Sequence, residues 1–143
     1  MNAKPVFAHD GAQLANAALV HALAPYQELR RVPNGAILFS ENDWPTGVYI
    51  LLAGVIDMRF SAQPDAPVRM LTLGTILGLN AVVSSRTFDY TAAGRDEAVL
   101  GFVPKGKFLE ILNGSPSLWL EVLKVLSRDI GSCYDRVREL AVH

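Results

Sequence analysis

The feature that most constrains this chain is the rhythm of its middle. Between Tyr26 and Val103, short apolar runs rich in Val, Ile, Leu and aromatic residues alternate with turn residues. The runs are YQELRRV, AILFS, VYILL, VIDMRF, VRMLTL, FDYTAAG and AVLGFV. Between them lie Pro33-Asn34-Gly35, Asn42-Asp43, Pro45-Thr46-Gly47, Gly54, Gln63-Pro64-Asp65 and Gly94-Arg95-Asp96. Runs of this length suit strands, and the Gly, Pro, Asn and Asp that interrupt them suit chain reversals. Seven or eight strands at such spacing predict a β-roll, or jelly roll, rather than a βαβ layout.

Helices flank the β-region. Asp10 as N-cap, the alanine-rich GAQLANAALVHALA and a stop at Pro25 predict a helix over 10–24. The β-roll then occupies 26–103. Pro104 is followed by KGKFLEIL, a short helix over 105–112 closed by Asn113-Gly114. Ser115 as N-cap and Pro116 at the first helical position open a long helix over 115–142. The expected architecture is one domain, 1–143, mainly β with flanking helices and a long C-terminal dimerisation helix.

Along that last helix Trp119, Leu123, Leu126, Ile130, Cys133, Val137 and Leu140 recur at alternating steps of four and three. This is the spacing of a coiled-coil seam, and a seam requires a partner helix. A homodimer is therefore expected, with these seven residues at the interface. Leu118, Val122 and Val125 form a second apolar edge suited to packing on the roll.

Composition narrows the functional classes. In 143 residues, 50% hydrophobic, there is enough apolar material for one core without disulfides. A formal net charge of -1 supplies no cationic excess for a phosphate backbone, so DNA binding by this chain alone is not expected. Cys133 is the single cysteine, which excludes an internal disulfide and a four-cysteine metal or iron–sulfur site. His9, His21 and His143 all lie outside the predicted roll, leaving no strand histidine as a haem ligand, a metal ligand or a base for Ser84 or Ser85. No apolar stretch reaches the length of a membrane span, and the N-terminus has no leader-like run. A cytoplasmic, non-enzymatic protein without a resident metal or cofactor is the expectation.

In the stretch RVPNGAILFSENDWPTGVYILLAGVIDMRF, Gly35 precedes an apolar strand, a turn follows, and a strand carrying Tyr49 closes at Gly54. This order resembles the cyclic-nucleotide-binding domains of bacterial regulators such as the catabolite activator protein and the fumarate-nitrate regulator. LTLGTILGLNAV is similar to the family's approach to its phosphate-binding cassette, and AVLGFVPKGKFLEIL to its last strand and following helix. The resemblance covers about Arg31 to Leu140. It implies a sensor domain with a roll, a dimerising helix and a small-molecule ligand, cyclic AMP or cyclic GMP being the candidates.

The resemblance also implies how such a ligand is held. The family meets the phosphate with backbone N–H groups at a short helix and with an arginine followed by Ser or Thr and then Ala, and a glutamate after the cassette glycine takes the ribose hydroxyl. The glycine corresponds to Gly78, the glutamate's position to Leu79 and the arginine's to Phe88. The candidate pocket is therefore Gly78, Leu79, Asn80, Ala81, Arg86, Phe88 and Asp89. Asn80 offers a polar contact, Arg86 would serve only in a shifted loop, and Asp89 would oppose a phosphate. Two readings stand. One is a regulatory sensor whose degenerate cassette binds cyclic nucleotide weakly or not at all. The other is a dimerisation or interaction module whose pocket is plugged by Leu79 or Phe88.

Overall fold

A computed structural model of the chain describes residues 8–9, 12–14, 17–61 and 69–126. In chain order its elements are β1 (Ala8–His9), β2 (Ala12–Leu14), α1 (Ala17–Leu23), a 3-10 turn (Ala24–Tyr26), β3 (Glu28–Val32), β4 (Ile37–Phe39), β5 (Gly47–Ala53) and β6 (Ile56–Arg59). Then come β7 (Arg69–Leu71), β8 (Thr75–Leu77), α2 (Leu79–Ser84), β9 (Thr91–Gly94), β10 (Ala98–Pro104) and α3 (Lys105–Asn113). A further helix, α4, occupies 116–126. Among the described residues no helix is long and apolar enough to cross a membrane.

The strands form two sheets, one ordered β1-β2-β8-β5-β10-β3 and the other β4-β9-β6-β7. Every pairing is antiparallel. This is the mainly β roll with flanking helices that the punctuated runs predict.

Strand β5 shows how the layers are built. Its period of two sends Tyr49 and Leu51 to one core and Val48 and Ile50 to another, so both faces of its sheet are covered. The first core fills the roll between the two sheets, with Phe39, Ile56, Met58, Leu71, Leu77, Leu100 and Phe102 among its members. The second lies on the outer face of the larger sheet. There Leu19 and Leu23 of α1, Phe108 and Leu112 of α3, and Leu118, Val122 and Val125 of α4 meet Val48, Ile50, Ile76 and Val103.

The N-terminal segment differs from the expected helix over 10–24. Ala12–Leu14 is a strand, with Ala12 opposite Leu77 and Leu14 opposite Thr75, and α1 begins only at Ala17. Alanine's helix preference is a weak local bias, and the open edge of β8 overrides it by offering backbone partners. The stop at Pro25 does operate: α1 ends at Leu23, and Pro25 sits in the first turn of the 3-10 segment.

Ser115 caps α4 as the sequence predicts, accepting the Leu118 N–H at its Oγ (3.3 Å). The second apolar edge, Leu118, Val122 and Val125, is buried against the domain. Leu126, predicted for the seam, is buried in the same helix-side core, because it lies one turn beyond Val122 on the domain-facing stripe. Trp119 is half-buried, its indole N–H directed at Asn113 Oδ1 (3.4 Å), while Leu120 and Leu123 stay exposed. Ile130, Cys133, Val137 and Leu140 lie outside the described residues.

Candidate ligand-binding site

The candidate site is the turn from β8 into α2 and the irregular segment that returns to β9. Gly78 makes the turn with φ 86°, a left-handed conformation costly for residues with a Cβ. A Cβ there would also lie 3.1 Å from the Gly47 carbonyl oxygen and 3.3 Å from the Phe88 ring. The missing side chain thus lets three segments converge. Helix α2 lasts six residues before Ser85, with φ 53°, ends it, and the Arg86 N–H closes back on the Ala81 carbonyl (3.0 Å).

This short helix divides its side chains between the two cores. Ala81 faces the roll, whereas Leu79 and Val82 belong to the helix-side core. Leu79 is fully buried there, so it does not fill the roll as one sequence reading had it. Asn80 is half-buried, and its Oδ1 accepts the Ser84 hydroxyl (2.9 Å). Arg86 is exposed, with its guanidinium 3.8 Å from the Asp89 carboxylate. That pair lies at the surface and presents no group to the roll interior. Of the seven candidates, Gly78, Ala81 and Phe88 meet at the roll, and the other four do not.

Phe88 fills the space. Its ring stacks on Phe39 with centroids 3.7 Å apart and 10° between planes. Tyr90 stands edge-on to Phe39 (5.2 Å, 72°), and Tyr49 lies tilted to it at 6.0 Å. Tyr49 in turn contacts Phe102 (4.9 Å). The edge-on contact of Tyr90 with Phe39 is of the kind that stabilises a pair by about 0.5–1.5 kcal/mol beyond simple burial. Burial also drives the Tyr90 phenol well above its ordinary pKa, and the charge of Asp89 adds to the effect.

The backbone of Phe88 is held as firmly as its ring. Its N–H donates to the Asp43 carbonyl (2.9 Å) and its carbonyl accepts the Asn42 N–H (2.8 Å). Asn42 adopts φ 74° to make this contact. Phe39, Tyr49, Tyr90 and the Asn42-Asp43 turn were not among the pocket residues that the sequence offered. The signal for one of them was present: Tyr90 stands where the resemblance implies the small alanine that follows the arginine.

The family model of the cyclic nucleotide-binding domain matches residues 29–115, more than half of the chain. The chain belongs to this family. The domain's fold is shared with transcription regulators of known structure. The catabolite activator protein of Thermus thermophilus superimposes with a TM-score of 0.76 at 16% identity, over 88% of this chain and 60% of that one. A transcriptional regulator from Thermotoga maritima gives 0.75 at 20% identity, over 87% of this chain and 98% of that one. The sensor domain of the transcriptional regulator DNR from Pseudomonas aeruginosa gives 0.66 at 17% identity, over 85% of this chain and 81% of that one. At these identities the likeness is one of fold. No curated relative matches the chain.

Proposed function

We propose that this cyclic nucleotide-binding domain is a cytoplasmic regulatory module, acting by binding and pairing rather than by catalysis, whose roll is occupied by its own side chains. Cyclic AMP and cyclic GMP bind it weakly or not at all. The stack of Phe88 on Phe39 carries this reading. It sets an apolar ring at the position where the resemblance implies a phosphate-binding arginine, and Leu79, at the position of the ribose-binding glutamate, faces the other core. A hydrogen bond to a charged group contributes about 1.5–3 kcal/mol, so the absence of both side chains costs two or more decades of affinity, at about 1.4 kcal/mol each.

The exposed Leu120 and Leu123 on α4, with the seam pattern that continues through Ile130 and Val137, support pairing with a second copy through this helix. Ser84 donates to Asn80, an arrangement that activates no nucleophile.

Titration calorimetry with cyclic AMP and cyclic GMP tests the ligand reading. No saturable heat is expected at concentrations up to about a hundred micromolar, the range that a loss of two decades opens above ordinary micromolar binding. Micromolar binding of either nucleotide would overturn it.

A further inference from the structure

Strand β3 ends the larger sheet. β10 pairs with one of its edges, and among the described residues no strand pairs with the other. Glu28, Leu29, Arg30 and Arg31 are all exposed. An open edge of this kind is a template on which another strand can form, and its side chains decide which strand fits.

Cross-strand partners share a face of a sheet, so the register of β3 fixes which way each residue points. Glu28 lies opposite Phe102 and Arg30 opposite Leu100, both members of the roll core. Leu29 lies opposite Gly101, whose other neighbour is Ile50 of the helix-side core. Glu28 and Arg30 therefore stand on the roll side of the edge, and Leu29 on the helix side. Arg30 rests over the Phe102 ring at 4.6 Å and donates from Nη2 to Glu28 Oε2 (3.2 Å). Both charged side chains stay more than half exposed, and the guanidinium has further N–H donors. Leu29 is 68% exposed.

We propose that β3 pairs antiparallel with β3 of a second copy of this chain, about a two-fold axis through Leu29, joining the two larger sheets edge to edge. In that register Glu28 stands opposite Arg30 of the second copy, and Arg30 opposite the second copy's Glu28. The two Leu29 side chains meet on the other face, and Arg31 meets the neutral Gln27. A slip of two residues sets Glu28 against Glu28 or Arg30 against Arg30, and a slip of one sets a roll-side residue against a helix-side one. Charges on an edge ordinarily repel added strands, whereas this spacing of opposite signs repels the neighbouring registers and favours one. A strand of five residues buries less than the about 1,200 Å² of a stable interface, so the pairing is weak and reversible. It is isologous and separate from α4, so a chain that also pairs through that helix builds assemblies larger than a dimer.

Sedimentation of a parent chain carrying Leu123→Glu, which weakens pairing through α4, tests the edge. Concentration-dependent dimerisation is expected by about a millimolar, the range of weak contacts. Adding Glu28→Arg or Arg30→Glu sets like charges opposite each other at both ends of the pair and should weaken dimerisation by roughly tenfold or more. Combining the two substitutions in one chain, or mixing the two single variants in equal amounts, should restore it. Leu29→Arg leaves Arg30 on Phe102 and sets two cations at the axis, so its loss of association keeps the test open if a change at position 30 disturbs folding. A parent chain that stays monomeric, or association indifferent to all these charges, overturns the proposal. So does weakening by the single variants with no recovery in the double variant or the mixture. None of these charges lies on α4, so failure here leaves the pairing proposed for that helix standing.

Discussion

Leu79→Glu restores the acid that the resemblance places after the cassette glycine, and the position of Leu79 makes the outcome calculable. The side chain is fully buried in the helix-side core with Leu19, Val48, Ile76, Val82 and Phe108. Losing the burial of a leucine costs about 1.5–3 kcal/mol. A carboxyl in so apolar a place titrates near about 8, against about 4.3 in the unfolded chain. At pH 7 the unfolded chain gains from ionising where the folded one does not, a difference of about 2.7 pH units, or about 3.7 kcal/mol. Together the two effects cost about 5–7 kcal/mol, comparable with the whole stability of many domains at about 5–15 kcal/mol. Because the folded pKa is raised, the ionisation penalty is complete above about pH 8, shrinks as pH falls through that value and vanishes near about 4.3. Urea unfolding followed by circular dichroism at about pH 5 and about pH 8 reads this directly. A variant as stable as the wild type at the upper pH, with no pH slope, would refute the placement of position 79 and put its side chain within reach of water or the mouth of the roll.

Three further variants concern α4 and the Glu41–Ser61 contact. Leu118→Ala, on the buried edge, should destabilise folding by about 2–5 kcal/mol, whereas Leu123→Glu should leave folding within about 0.5 kcal/mol of the wild type and weaken self-association. Sedimentation checks the second effect, and a wild type that stays monomeric at micromolar concentration would refute pairing through this face. The Glu41 carboxylate accepts both the hydroxyl and the N–H of Ser61, which hold its pKa below the ordinary value. A depressed folded pKa means that this contact stabilises above the unfolded pKa and is lost as pH falls through the folded one. Ser61→Ala should therefore move the Glu41 midpoint upward in a carboxyl NMR titration, and an unchanged midpoint would count against the contact.

The roll was legible because strand pairing leaves a local trace: short apolar runs and obligatory turn residues need no tertiary information to be seen. What was not legible is which way a residue faces once two cores compete for it. Leu79 and Phe88 are equally apolar as letters, but a half-turn of α2 sends the first to the helices, and the irregular return segment sends the second into the roll. The same ambiguity moved Leu126 from the expected seam to the domain, since α4 carries apolar residues at 118, 119, 120, 122, 123, 125 and 126 and supports more than one stripe. Ala12–Leu14 was misread for a different reason. Its partner, β8, lies more than sixty residues away, and long-range pairing leaves no mark on a short alanine-rich segment.

Gly78 changes what the family pattern can testify to. Its positive φ and its approach to Gly47 and Phe88 are demanded by the way the backbone turns, whether or not a phosphate ever arrives. A descendant that had lost every affinity for nucleotides would still be held to glycine at this place by the geometry of its own chain. A glycine at this place is thus a record of architecture, and the diagnostic weight for ligand falls on the side chains at positions 79 and 88.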